Sequence, residues 1–428
     1  MQQLAQTPHP ESDHPTASIV PRVVSAEPVN LKIMEPPLTV ADTLVREQRD
    51  MRRLFVGLIC VLSGVGIQMV HSASLTSMPS QAETIFLSKH LAYLTLAGCC
   101  GLMASYVTLS MLQRLARPAL IGLVLLLVLV LVPDIGTRVN GAQRWLRFGE
   151  LSLQPSELGR LVLPIVAVKT LTDLRSRGFT LCTVPRTILP LVIVLPLVAR
   201  EPDLGATVFL AAGYIIALFI GGWPLKYFVL SVAVVVPAAA SLLILKPYQM
   251  HRITGFIAAW KDLSQAPWQV RQSLLSMGAG GLHGSGVGSG WQKLSYLPEA
   301  NTDFVFAVIG EELGLAGTLT LTIVWIGVLL TGQAALQHLR RDSFAWILGS
   351  TLVIQVVLQA LANVAVVTAM IPPKGVPHPF ISYGGTNLLV NLVAVGIVVA
   401  MARTSEDSVD IQDPPPAADL HAEYEPPS

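Results

Sequence analysis

Ten apolar stretches follow one another along this chain, and they constrain its fold more than any other feature. They cover residues 54–74, 91–110, 118–133, 155–171, 187–199, 204–222, 227–245, 304–332, 344–370 and 382–402. A bilayer core needs about 20 apolar residues per helical crossing. In lipid every backbone polar group must be satisfied within the protein, which favours helices. The third and fifth stretches are short, so their helices are expected to extend into the flanks. Charge agrees with this reading. Only 35 of the 55 charged residues fall between positions 54 and 403, well below the roughly one in four of a globular domain. The expected fold is all-α: a polytopic integral membrane protein of ten helices, with a large extracytoplasmic loop, 246–303, between helices 7 and 8.

Residues 1–45 are rich in Pro, Ser, Glu and His without apolar periodicity and read as a disordered tail. They lack the basic-then-apolar order of a secretory signal. Residues 404–428, with Pro414–Pro416 and seven acidic side chains, read the same way. The membrane domain is then 46–403. An even number of crossings places both tails on one side. With the tails in the cytoplasm, inside segments hold 13 Lys and Arg against 6 in the short outside loops, the direction of the positive-inside rule. The long loop adds five outside but weighs less. A net charge of +1 without a basic face excludes a nucleic-acid partner. Cys60, Cys99, Cys100 and Cys182 have no metal spacing, and three lie in apolar runs.

In this orientation almost all unusual polar residues fall outside. The first group is Asn140, Arg144, Trp145 and Arg147, leading to Gln154-Pro-Ser-Glu157 and Arg160. Pro155 suits a first helical turn, and Glu157 and Arg160 share one helix face. The group serves equally as an interfacial loop or as a cationic site for an anionic lipid head group. In Glu201-Pro-Asp203-Leu-Gly205, Asp203 reads first as a helix-start residue. In the long loop, seven of the thirteen residues from Gly278 to Gly290, Gly281 among them, are glycine. Such a run suits a re-entrant loop more than an anion cradle, and no nucleotide fingerprint surrounds it. Leu297-Pro-Glu299-Ala-Asn301-Thr302-Asp303-Phe304 then starts the eighth helix. Asn301 or Thr302 is expected to cap it, with Asp303 in the first turn, as a dipole partner or as a base at the water–lipid boundary. Glu311 and Glu312 lie about 12–13 Å deeper, where charge needs pairing or function. The last group runs from Pro372 through Lys374 and His378 to Asn387 and Asn391, and reads as loop rigidity and helix packing.

These segments, in this order, resemble the SEDS (shape, elongation, division and sporulation) family of the FtsW and RodA type, from about residue 54 to 403. The resemblance rests on Asn140-Gly-Ala-Gln-Arg-Trp145, Gln154-Pro-Ser-Glu-Leu158, Glu201-Pro-Asp-Leu-Gly205, Leu297-Pro-Glu-Ala-Asn-Thr-Asp-Phe-Val-Phe-Ala-Val-Ile-Gly-Glu-Glu-Leu-Gly314 and Ile381-Ser-Tyr-Gly-Gly385. Two positions depart from the family pattern. Asn301 stands where His is usual, and Arg160 where Lys is usual.

The resemblance implies a peptidoglycan glycosyltransferase in the bacterial inner membrane, polymerising lipid II during cell division or cell-shape maintenance. The Lys293–Ala300 stretch and the long N-terminal tail lean towards the division branch. Partners implied are a class B penicillin-binding protein, other divisome or elongasome proteins and membrane lipid. Asp303 and Glu157 are the expected catalytic residues. Arg144, Trp145, Arg147, Gln154, Arg160, Asp203, Gly281, Glu299 and Thr302 are the expected substrate contacts. Mg²⁺ or another divalent cation is expected near Glu157, with no nucleotide or organic cofactor. A lipid II flippase and an inactive scaffold that activates a transpeptidase are the alternatives.

Overall fold

The computed structural model describes residues 40–74, 82–139, 142–149, 151–175, 178–233, 266–291, 297, 299–404 and a few single positions between 254 and 264. Most of the N-terminal tail, nearly all of the C-terminal tail, and much of the seventh apolar stretch lie outside the described residues. Ten named helices and a small sheet make up the rest: α1 (Val40–Ser74), α2 (Ala82–Ala104), α3 (Leu109–Leu131), β1 (Gly136–Val139), β2 (Ala142–Phe148), β3 (Leu151–Leu153), α4 (Pro155–Arg175), α5 (Val184–Arg200), α6 (Leu204–Ile220), α7 (Trp268–Gly280), α8 (Val305–Ala334), α9 (Phe344–Val367) and α10 (Gly385–Arg403).

Among the described residues six helical stretches are long and apolar enough to cross a membrane: Val45–Ala73, Leu109–Leu131, Leu181–Arg200, Val305–Ala334, Phe344–Val367 and Gly385–Arg403. Gly205–Ile220 is apolar but shorter. These helices establish a polytopic architecture without establishing the count of ten. The third and fifth helices do extend into their flanks. α3 begins at Leu109, where Thr108 caps it by accepting from Met111 N.

Glycine lets the helices approach closely, as in other membrane bundles. α2 lies along α10 with Gly101 against the backbone of Leu392 and Gly396 against that of Gly101. A Cβ on Gly396 would stand 2.1 Å from the Gly101 carbonyl oxygen. The glycine-rich run does the same against α8. The φ angle of Gly314 is +66°, which interrupts α8. The run docks on that break: Ser285 N and Gly286 N donate to the Glu311 and Glu312 carbonyls, each at 3.0 Å, and Leu315 N donates to Gly281 O at 2.9 Å. Its amides thus serve the helix.

The segment before α4, expected as a loop, is a three-stranded antiparallel sheet in the order β1-β2-β3. Val139 pairs with Ala142, and Arg147 with Ser152. Thr386 fastens the sheet to the start of α10: its hydroxyl donates to Ser152 O at 3.0 Å and accepts from Gln154 N at 3.2 Å.

Candidate active site

Three structural pieces meet in front of α4, α6 and α8. The first is β2. Successive side chains of a strand point to opposite faces, so Arg144 is separated from Trp145 and Arg147. Arg144 donates from Nε to Glu201 O at 3.0 Å and from a terminal nitrogen to Pro202 O at 2.8 Å. Its guanidinium also lies 3.4 Å from Asp203. Arg147 is exposed and Trp145 partly buried.

The second piece is the turn into α6. Asp203 caps that helix by accepting from Ala206 N at 2.9 Å. Its other oxygen accepts from Gln154 Nε2 at 3.2 Å. Asp203 is therefore both helix cap and anchor for Arg144 and Gln154. Glu201, two residues earlier, is fully buried, and neither carboxylate oxygen has a hydrogen-bond partner among the described residues. Burial, with the Asp203 charge adding to it against Arg144, pushes its carboxyl up to about 8.

The third piece is Asp303 with the loop 371–384. The expected cap at Asn301 or Thr302 is not what forms. α8 starts at Val305, with Phe304 as its N-cap residue and no side-chain cap. The reason lies in the loop. Tyr383 N donates to Asn301 O at 2.8 Å and the Ser382 hydroxyl donates to Thr302 O, which draws the 301–303 segment out of helical register. Asp303 therefore precedes the first turn. It is partly exposed, and its carboxylate lies against Gly375: a Cβ there would come within 2.9 Å of Asp303 Oδ2. Lys374 is the neighbouring cation. Burial holds its ammonium below the usual range, while the Asp203 charge pulls the other way. Glu299 and Thr302 close the turn between themselves, Thr302 Oγ1 donating to Glu299 Oε2 at 2.9 Å.

Glu157 and Arg160 belong to a separate, buried network. Arg160 is 5% exposed and pairs with Glu157 at 2.8 Å. It also donates to Gln359 Oε1 and, at 3.2 Å, to Asn391 Oδ1. Asn387 donates to Glu157 Oε2 at 3.0 Å. The donor set around Glu157 does not fit the divalent cation expected there. The same carboxylate oxygen already serves a guanidinium and an amide, and no group of three His, Cys, Asp or Glu side chains gathers among the described residues. Arg160 is buried as well: its two terminal nitrogens bond within the bundle, and its Nε has no hydrogen-bond partner among the described residues. Gly281 also stands apart. It is bonded to Leu315, twelve residues beyond Asp303 or about 18 Å along a helix. The deep carboxylates are paired elsewhere: Glu312 accepts from the Ser72 hydroxyl at 2.6 Å, and Glu311 from Trp291 N at 2.6 Å.

Of the expected residues, then, Arg144, Gln154 and Asp203 interlock, and Asp303 meets the loop beside Lys374. Lys374, Asn363 and Gln359 escaped the site assignment. The signal was present: Gln355, Gln359 and Asn363 recur every four residues on an otherwise apolar helix, and polar groups in one stripe at that depth are expensive unless used.

This arrangement has relatives. A family model described as "Cell cycle protein", covering FtsW, RodA and SpoVE, matches residues 52–407. The chain belongs to the FtsW/RodA/SpoVE family. A Trichlorobacter lovleyi protein named "Probable peptidoglycan glycosyltransferase FtsW" is 37% identical over 351 residues, covering 80% of this chain and 90% of that one. A Coxiella burnetii protein of the same name is 36% identical, covering 82% and 96%. Among solved structures, one described as "Structural coordination of polymerization and crosslinking by a peptidoglycan synthase complex" aligns with a TM-score of 0.66 at 25% identity, covering 82% of this chain and 96% of that one. The rod-shape determining protein RodA of Thermus thermophilus aligns at a TM-score of 0.60 and 24% identity, covering 82% and 95%, and supports the fold. With its apolar helices, this FtsW/RodA/SpoVE relative is a multi-pass bacterial membrane protein.

Proposed function

We propose that this protein is a peptidoglycan glycosyltransferase of the division branch, which polymerises lipid II into glycan strands at the outer face of the bacterial inner membrane, with both termini in the cytoplasm. The observation that carries the reading is the position of Asp303. It is a partly exposed carboxylate ahead of a membrane helix, resting against Gly375 of a loop whose Tyr383 and Ser382 bond the backbone of Asn301 and Thr302 just before it. Asp303 takes the proton from the 4-hydroxyl of the acceptor sugar. The oxygen attacks the anomeric carbon of the growing chain with inversion, and a lipid pyrophosphate leaves. Lys374 and Arg144 place positive charge beside the carboxylates, where the departing diphosphate needs it. Arg147, exposed on the other face of β2, is free to meet a second phosphate. Arg160 and Glu157 hold the bundle under this site, and no step passes through a metal. The partner class is a transpeptidase, a class B penicillin-binding protein. The likeness to a synthase complex and the relatives named FtsW support that choice. Other divisome proteins and membrane lipid complete the surroundings.

The test is polymer formation from lipid II by the purified full-length chain with its partner. Wild type is expected to make polymer and Asp303→Asn about 10²- to 10⁴-fold less. Wild-type rates from Asp303→Asn would remove Asp303 as the base. Transfer of labelled lipid II across vesicles without polymer would identify a transporter instead.

A further inference from the structure

We propose that Trp325, His378 and Asn363 form a positioning chain that sets the pose of the Asp303 carboxylate; the proposal rests on Asp303 being the base. Four separate segments contribute: α8, the loop 371–384, α9 and the 301–304 turn. Asn363 Nδ2 donates to Asp303 O and to Val376 O, each at 2.7 Å. Only the amino edge of an amide can face two carbonyls, so Asn363 Oδ1 must point away from them. There it meets His378 Nδ1 at 2.9 Å. An amide oxygen cannot donate, so Nδ1 must carry the imidazole proton. Nε2 is then the acceptor, and the Trp325 indole N–H donates to it at 2.9 Å. Each atom has one available role, so the indole fixes the tautomer, the tautomer completes the amide, and the amide grips the backbone of Asp303.

The grip is double. Val376 follows Gly375, the residue against which the Asp303 carboxylate rests. One asparagine thus ties the base's main chain and the platform of its side chain together. The surroundings make the chain rigid: Asn363 and His378 are fully buried and Trp325 is 3% exposed. The imidazole stacks on Phe306 with centroids 6.0 Å apart and meets Trp325 edge-on at 5.6 Å. Burial lowers the imidazole to about 3, so it stays neutral at working pH and keeps its acceptor nitrogen. His378 acts as a positioning residue: its imidazole reaches the Asp303 backbone through Asn363, while its main-chain N–H, which side-chain substitution leaves in place, donates to Ser382.

A misplacement of about 1 Å at a reacting group can slow a reaction about 100-fold. The experiment compares His378→Leu, which removes both nitrogens, with His378→Asn, which keeps an N–H near the Nδ1 position. Both are made in the full-length chain with its transpeptidase partner and assayed on lipid II. The kcat and KM are measured separately and normalised to the folded fraction from melting in detergent. His378→Leu is expected to lower kcat about 10- to 100-fold, with KM within about twofold and His378→Asn within about threefold of wild type. Wild-type kcat in His378→Leu would overturn the proposal. So would a His378→Asn variant that melts like wild type yet is as slow as His378→Leu. If His378→Leu does not fold, Trp325→Phe decides, since it removes only the indole donor. A several-fold drop in kcat at constant KM supports the chain, and an unchanged kcat ends it. Asp303→Asn, run alongside, separates the two failures: its retained activity would discard the base itself, whatever His378 does.

Discussion

Two polar clusters lie close together in this bundle, and they satisfy their charges in opposite ways. Around Glu157 and Arg160, buried amides from α9 and α10 surround one short ion pair, with Gln359, Asn387 and Asn391 all bonded into it. Around Asp203, Lys374 and Asp303, the partners are loop carbonyls, a helix N-terminus and partly exposed side chains. The first cluster turns both terminal nitrogens of Arg160 into the bundle, whereas the second leaves Asp303 partly exposed. Four residues joined by sequence motifs thus separate into a structural pair, Glu157 and Arg160, an anchor for Arg144, Asp203, and one partly exposed carboxylate, Asp303.

The largest expected effect is on the open cluster. Asp303→Asn keeps the shape and removes the proton acceptor, and general-base catalysis contributes about 10²- to 10⁴-fold. Polymerisation should fall by about that factor, while the melting temperature in detergent stays within a degree or two of wild type. A variant that melts much earlier would mean that Asp303 belongs with the structural pair.

Arg160→Leu should behave in the opposite way. It leaves the largely buried Glu157 carboxylate without its cation and takes a donor from two amides, Gln359 and Asn391, and breaking a buried pair destabilises by about 3–5 kcal/mol. Loss of folded protein in denaturant or heat should precede any change in the activity of the molecules that remain folded. An Arg160→Leu protein of wild-type stability with a large fall in kcat would move Arg160 back to the substrate.

Much of the scaffold was legible beforehand, although the motifs themselves placed Glu157 and Arg160 with Asp303. Apolar length located the helices, and Pro155, Asp203 and the Asp303 segment stand at helix starts or just before them. The sheet was less visible, although Asn140-Gly141 between alternating polar and apolar residues is a strong hairpin signal. The short strands were obscured by a context of long helices. The cap of α8 could not be read either, because it is decided by Ser382 and Tyr383, some eighty residues away, which take the carbonyls of Thr302 and Asn301. Nor could spacing within one helix show that Arg160 faces Gln359 and Asn391. Local motifs give a residue's neighbours in sequence, and these sites are built from neighbours in space.

A smaller effect tests how tightly the open cluster is built. Gly375 carries the Asp303 carboxylate, and a Cβ there would stand 2.9 Å from Oδ2. Gly375→Ala should therefore displace the acid by a few tenths of an ångström. Stability should be unchanged and kcat lower by about tenfold, or ~1.4 kcal/mol of barrier. Wild-type turnover in this variant would show that Asp303 has room to adjust and that its platform is incidental.

The smallest effect belongs to Glu201, the buried acid behind Arg144. Its carboxyl is raised to about 8 from an ordinary value of 4.5, by burial first and the Asp203 charge second. Between those two values the folded chain holds a proton that the unfolded chain has released. The associated stability is complete below about pH 4.5, declines as pH rises through about 8, and is flat beyond. The slope in that window is on the order of 1 kcal/mol per pH unit. Glu201→Gln stays neutral throughout and should remove that slope, so that the variant gains on wild type with each step from pH 6 to pH 8. Its polymerisation at pH 6 should match wild type, because both side chains are then uncharged and neither reaches Asp303. Melting curves of the two proteins at pH 6, 7 and 8 check this. Parallel curves would mean that the Glu201 charge is balanced where it stands, and that the guanidinium of Arg144 serves Glu201 as well as Asp203.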